Sequence, residues 1–464
     1  MTLPIADGLL AVVKADCPTC QLVGPLLAQM DVRVVSEDDD AGLATSYELE
    51  VETVPTLLVV KGGDEIERLV GRDRASWRRV SGLDGLGDGL PEHRPGCGSR
   101  TLDPGVADEL AVRFRGSTLR SRRVEVGALE DELEAMFDRG WTDGLPVVPP
   151  TEARVLRMLE GTSRSPSDVV AVVPPDLAEC TVEKVAVNAV MAGCRPEYLP
   201  VVLAAVEGAC NDEFNMHGLL ATTYFSGPVV VVNGPIARAI GMNAGGNALG
   251  QGNRANATIG RALQLVVRNV GGGRPGEIDR ATLGNPGKYS FCFAEDAEGS
   301  PWEPLSVARG FEPTASTITL FAGEGVRGVV DQLSRTASSL ARSFAACLRT
   351  VAHPKLVMAF DAMLVVSPEH ARVFRDDGWT RQRLIDELDA LLQLPGAELV
   401  RGADGIEEGL PEGFASATLP KFRPGGLLVA HAGGTAGLFS AIIGGWVNGE
   451  TGSQPVTREV GPWA

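Results

Sequence analysis

Residues 17–20 read Cys17-Pro18-Thr19-Cys20, set between a short apolar run at 9–14 (LLAVVK) and an apolar stretch at helical spacing over 21–30 (QLVGPLLAQM). A bounded run of that length reads as a buried strand, and the following spacing reads as a helix. The two cysteines therefore fall on a strand-to-helix turn. There the unpaired N–H groups and the helix dipole favour a thiolate on the first sulfur. The second cysteine sits one turn further in, close enough to resolve a mixed disulfide. Outward from this turn, VRVVS at 32–36 reads as a second strand and residues 37–50 as a polar loop and helix. Residues 51–71 form a hairpin turning at Gly62-Gly63, and residues 73–83 close as a helix. Pro55 opens the first strand of the hairpin, where proline is best tolerated as a special, often cis, peptide.

CPTC at 17–20, VPTLLVV at 54–60 and KGGDEIERLVG at 61–71 resemble thioredoxin over residues 1–83. The resemblance implies a thioredoxin-like redox domain in which Cys17 attacks, Cys20 resolves and Pro55 is the cis-proline beside them. It also implies a redox-active dithiol recharged by thioredoxin reductase or a low-molecular-weight thiol. Two features depart from the pattern. Asp16 stands where thioredoxin has Trp, and an anion there is expected to raise the pKa of Cys17. The first strand and helix of a full thioredoxin are also missing. A CxxC can instead be half of a metal site, but the chain holds no second CxxC.

Residues 84–125 read as a linker, rich in Gly, Pro and Asp over 84–105. Cys97 lies inside it between Gly96 and Gly98, which predicts a mobile, accessible thiol able to shuttle between domains or an incidental linker cysteine. Residues 126–464 read as a large α/β catalytic domain. In it Cys180 is placed at or next to the N-cap of a helix, as a nucleophile candidate, with Cys194 past that helix's C-terminus. His217 precedes the apolar strand 227–235 and ranks first among the histidines as acid or base. Residues 234–273 combine glycines with Asn243, Asn247, Asn253 and Arg254 ahead of a helix, the composition of a polar or anion-binding pocket. Cys292 faces opposite to Phe291 and Phe293. Residues 425–446 read as a strand, a loop containing Gly434 and Thr435, and a helix, a second anion-binding unit. RDDGWT at 375–380 echoes DRGWT at 138–142, which suggests an internal duplication.

Cys97-Gly98-Ser99-Arg100, Pro368-Glu369-His370-Ala371 with Gly378-Trp379, and Ala432 to Gly437 resemble the UGSC-type (seleno)protein family. That resemblance implies thiol or selenol redox work. Arg100 occupies the position of the motif's last cysteine.

Composition narrows the function classes. The chain has 464 residues, 44% hydrophobic and 22% charged, the balance of a packed protein. Asp and Glu number 60 against 42 Lys and Arg, a net charge of −18 that disfavours nucleic acid and anionic membranes as partners. No apolar run reaches the ~20 residues of a membrane span. The first residues carry no basic region or cleavage site, which leads to the expectation of a cytoplasmic protein. Eight cysteines in so long a chain are too few for a disulfide scaffold. The expected activity is a thiol-dependent oxidoreductase whose front domain supplies reducing equivalents to a catalytic domain acting on a small polar or anionic substrate. A thiol-based C–S or carbon–metal lyase, and a soft-metal protein using Cys180, Cys194, Cys292 and His217, stay open, as does a homo-oligomer.

Overall fold

The computed structural model describes residues 6–103, 105–115, 119–127, 130–446 and 452–462. The chain folds as two compact units, Met1–Thr118 and Leu119–Ala464, both of mixed α/β class.

In the first unit, β1 (Gly8–Val13) leads into α1 (Pro18–Leu27), followed by β2 (Val32–Ser36) and α2 (Asp40–Glu48). Next come β3 (Thr53–Val54), β4 (Thr56–Lys61), β5 (Asp64–Val70), β6 (Arg72–Asp73) and α3 (Arg74–Ser81). The unit ends with β7 (His93–Arg94), β8 (Cys97–Gly98) and α4 (Val106–Arg115). The main sheet has the order β2-β1-β4-β5, with β1 parallel to β2 and antiparallel to β4. Being central, β1 is apolar on both faces. Ala11 packs under the helices with Val23, Leu57 and Trp77. On the other face Leu10 meets Leu58 and Val60.

Residues 90–102 do not behave as the mobile linker expected from their glycines and prolines. They form a strap tied to the first unit along its length. Arg72 pairs with Arg94 and Asp73 with His93, while Thr53 pairs with Gly98 and Val54 with Cys97. The guanidiniums of Arg72 and Arg74 donate to the carbonyls of Pro91 and Leu90. The buried carboxylate of Glu37 accepts from the Ser99 hydroxyl at 2.5 Å and the Arg100 N–H at 2.8 Å. Loop composition predicts irregular backbone. It does not predict mobility when side chains elsewhere satisfy that backbone.

In the second unit, α5 (Glu132–Asp138), α6 (Glu152–Leu159), β9 (Val169–Val173), β10 (Ala178–Thr181), α7 (Val182–Ala192), α8 (Leu199–Ala209) and α9 (Met216–Ala221) precede β11 (Gly227–Asn233). They are followed by α10 (Pro235–Ala239), α11 (Arg254–Asn269), β12 (Cys292–Ala294), α12 (Leu305–Ala308), β13 (Thr317–Val330), α13 (Ala337–Leu348) and β14 (Ala362–Val366). The remaining elements are α14 (Pro368–Asp376), α15 (Arg381–Leu391), β15 (Gln393–Pro395), α16 (Gly396–Leu399), β16 (Thr418–Pro420), β17 (Leu427–His431), β18 (Phe439–Gly445) and β19 (Val456–Glu459).

The large sheet runs β12-β11-β13-β18-β14-β17, with β19 beside β13. Its two halves share one topology. In each, a strand pairs in parallel with a later one (β11 with β12, β14 with β17) and antiparallel with a third (β13, β18). The halves join where β13 and β18 run antiparallel. Past the end of β12, the Asp296 N–H donates to the carbonyl of His431, the last residue of β17, at 2.8 Å. Val231, Phe293, Phe321, Met363, Val365 and Ile443 fill the inner face. Helices α7, α8 and α11 cover one outer face and α13 to α15 the other.

Two expectations for this unit are corrected. The segment after Gly437 is the strand β18, not a helix, so Gly434 and Thr435 do not precede a helix N-terminus. A short apolar run is ambiguous between strand and buried helix, and only its pairing with β13 and β14 decides. The apolar pattern over 328–350 reads from the sequence as one helix, but the helix begins at Ala337, because β13 continues to Val330.

Candidate active site in the first unit

Cys17 is the N-cap of α1, with Pro18 in the first turn, where a missing N–H costs nothing. Its sulfur accepts from the Cys20 N–H at 3.3 Å and lies 3.5 Å from the Val54 carbonyl, to which the thiol donates. The Val54-Pro55 peptide is cis. Cys17, Cys20, Val12, Val51 and Val54 form one buried cluster, and Cys97 packs against it. Thr19 donates its hydroxyl to the Pro95 carbonyl at 2.7 Å, tying the CxxC turn to the strap.

The three thiols differ in acidity. Burial opposes ionisation of Cys17, but hydrogen bonds from Cys97, from Cys20 and from the Cys20 and Thr19 N–H groups prevail and hold its pKa below that of an ordinary thiol. The expected effect of Asp16 is overruled. That carboxylate is mostly exposed and is shared between Lys14 at 3.7 Å and Arg100 at 3.5 Å. Cys20 is driven the other way, first by burial and then by the neighbouring Cys17 and Cys97 sulfurs, far above the thiol range. Cys97 is raised first by its hydrogen bond to Cys17, then by burial and by the charge on Cys17. The result is one acidic thiol flanked by two protonated ones, the arrangement of an attacking thiolate with a resolving partner. Sequence reading located Cys17, Cys20 and Pro55 here. It missed that Cys97 belongs to the same cluster, and it missed Thr19, Glu37 and Ser99. The only sequence sign of the strap was the pair of glycines flanking Cys97, which permit close backbone approach.

The thiols singled out in the second unit do not form a comparable centre. Cys180 lies on β10 with no exposed surface, and Thr181 is the N-cap of α7 in its place. Burial pushes Cys180 up to about 12, against a weaker opposing effect of Lys184. Cys194 is likewise pushed to about 12, and Cys292 further still, both by burial. Cys292 does face away from Phe291 and Phe293, into the layer under α11. His217 is exposed on the short helix α9. Among the described residues no three His, Cys, Asp or Glu side chains are grouped to hold a metal ion.

The glycine-rich loops come together, though not as a ready anion cradle. An added Cβ on Gly434 would lie 3.3 Å from the Gly246 Cα, and Gly433 N–H donates to the Ala244 carbonyl at 2.9 Å. The amides expected to bind ligand largely stitch the loop to itself. Asn243 donates to Gly246 O, Asn247 to Gln251 O and Asn253 to Gly241 O. Arg254 donates to the Gly193 carbonyl at 2.9 Å. Thr435 is exposed. A buried ion pair lies nearby. Glu295 accepts from Arg381 at 2.8 Å, Asn233 at 2.6 Å and the Leu305 N–H at 2.6 Å. Its other feature is a cavity of about 660 Å³ lined by Met136, Trp141, Val155, Asn188, Met191 and Asn269, none of them a predicted site residue.

No family model matches the chain, and no curated protein is significantly similar to it. Among the described residues no helix is long and apolar enough to cross a membrane.

Proposed function

We propose that the first unit is a thioredoxin-like dithiol–disulfide exchange module and that the whole chain is a thiol-dependent oxidoreductase. The observation that carries this reading is the placement of Cys17 as the N-cap of α1, its sulfur accepting from the Cys20 N–H one turn on and lying 3.5 Å from the Val54 carbonyl. The Cys17 thiolate attacks a disulfide, forming a mixed disulfide and expelling one thiolate. Cys20 then attacks the Cys17 sulfur, releases the second thiol and leaves the Cys17–Cys20 disulfide. Thioredoxin reductase or a low-molecular-weight thiol returns the two electrons. In this reading the second unit binds the small polar or anionic substrate, with the meeting of Gly246 and Gly434 as the place for it, and the fusion raises the effective concentration of dithiol for it.

The test is disulfide reduction by the full chain with NADPH and thioredoxin reductase, or with glutathione. Cys17→Ser is expected to abolish turnover, and Cys20→Ser to accumulate a mixed disulfide on the chain. Turnover that survives Cys17→Ser unchanged overturns the reading.

A further inference from the structure

Of the three clustered thiols, the two in the CxxC turn are closed to solvent. Cys17 has no exposed surface and Cys20 is 5% exposed, whereas Cys97 is half-buried. Exchange requires the attacking thiolate to reach a sulfur in line with the bond that breaks, so access limits which thiol meets an outside partner. The strap also occupies the backbone edge next to Pro55. Val54 pairs with Cys97 and Thr53 with Gly98, and those groups are no longer free to pair with an incoming extended peptide. The approach is tight. An added Cβ on Gly96 would lie 2.4 Å from Thr53 Cγ2 and 2.6 Å from the Val54 carbonyl oxygen. Cys97 is thereby held across from the residue whose carbonyl is 3.5 Å from the Cys17 sulfur. Directly paired residues on adjacent strands have Cα atoms about 4.5–5.5 Å apart, so the pairing fixes Cys97 beside the CxxC turn. Thr19 to Pro95, and Glu37 to Ser99 and Arg100, pin the strap on both sides of Cys97.

We propose that Cys97 is a third redox thiol, docked by the strap so that the disulfide Cys17 attacks is one carried on Cys97. This rests on the exchange function assigned to the CxxC turn and specifies where its electrons leave. Cys97, giving up its thiol proton as it does so, first attacks an outside disulfide: the bond to Cys97 forms, the outside S–S bond breaks and one outside thiolate departs. Cys17 then attacks the Cys97 sulfur, so the S17–S97 bond forms and the second outside thiolate is released. Cys20 attacks Cys17, returning Cys97 as a thiol and leaving Cys17 and Cys20 oxidised. Two electrons pass from the buried pair to the outside disulfide, and each expelled thiolate takes up a proton given by an attacking thiol. In the reverse direction, Cys97 and the Cys17–Cys20 disulfide isomerise with no net oxidation.

Disulfide mapping of the full chain tests this. Cys20→Ser, treated with one equivalent of diamide as oxidant, is expected to hold Cys17 and Cys97 as an intrachain disulfide. In Cys17→Ser, oxidised glutathione is expected to mark Cys97. In turnover, Cys97→Ser is expected to slow reduction of outside disulfides by about tenfold or more, since the one accessible sulfur of this cluster is lost. If Cys20→Ser leaves Cys97 alkylatable after oxidation, or if Cys97→Ser turns over at the wild-type rate, the relay is wrong. If Cys17→Ser retains full turnover, the exchange function itself is wrong. The mapping in Cys20→Ser leaves the strap unaltered and so does not depend on how Cys97→Ser folds.

Discussion

Replacing Cys97 by Ala should raise the pKa of Cys17. The Cys97 thiol hydrogen-bonds the Cys17 sulfur, and this is the largest of the effects that lower the Cys17 pKa against burial. Hydrogen bonds to charged groups contribute about 1.5–3 kcal/mol, and a thiol is a weak donor, so about 1 kcal/mol is a fair figure here. A loss of that size is roughly a fivefold change in the equilibrium between thiol and thiolate, in favour of the thiol. Cys97→Ser, which keeps a donor, should shift it less. The assay is alkylation of the reduced full chain by iodoacetamide between about pH 5 and 10, quantified on the peptide that carries Cys17. Removing the Cys97 side chain also uncovers the sulfur and raises the limiting rate, so the midpoint of the pH profile is the readout. A midpoint that stays put or moves down in Cys97→Ala refutes the claim that this contact stabilises the thiolate.

The same thiols make the stability of the reduced first unit depend on pH. Cys17 has a folded pKa below its unfolded value, so its contribution is present at and above the unfolded pKa near 9 and is lost as pH falls through the folded one. Cys20 and Cys97 are raised, so theirs is present below about 9 and lost as pH rises beyond it; denaturant midpoints of wild type and Cys17→Ala should diverge as pH climbs towards 9. Glu37→Ala should loosen the strap, since it removes the acceptor for Ser46, Ser99 and the Arg100 N–H. Maleimide labelling of Cys97 should then quicken, with a stability loss of about 2–3 kcal/mol, and unchanged labelling would count against the strap being held there. Gly96→Ala should do the same through its clash with Thr53 and Val54. In the second unit, Arg381→Leu should cost about 3–5 kcal/mol in thermal or denaturant melts, because it strands the fully buried Glu295 carboxylate.

The CxxC turn was legible because its information is local. A bounded apolar run, a Cys pair at i and i+3 and a helical spacing together fix where the first sulfur sits relative to free N–H groups, and the structure has Cys17 as the N-cap. The hairpin over 56–70 was legible for the same reason, through alternation around Gly62-Gly63. The strap was not. Its place depends on Arg72, Arg74 and Glu37, residues 16 to 63 positions earlier whose side chains satisfy its backbone. Cys180 shows the converse failure. The helix start was correctly placed, with Cys180 next to the cap, but the sulfur sits on a buried strand, where burial reverses the expected acidity.

The second unit repeats a strand arrangement, but not through the residues that suggested a duplication. The repeated Gly-Trp-Thr after a helix suggested duplication, and the sheet does contain the same topology twice. Yet the two echoes are not equivalent. Residues 138–142 follow α5, ahead of β11, whereas 375–380 follow α14, between β14 and its parallel partner β17. The segment that matches β14 to β17 in the first half is β11 to β12, which contains the glycine-rich loop and α11 instead. Topology is set by which strands can bury both faces, and β11 and β14 do so with fully buried runs, GPVVVVN and AMLVV. Such runs constrain hydrophobicity and length and leave the connecting loops free to diverge. That is why the loops that meet at Gly246 and Gly434 come from unlike sequences. Their meeting, with Gly434 against Gly246 and the Gly433 N–H on the Ala244 carbonyl, is a long-range contact that neither loop encodes alone.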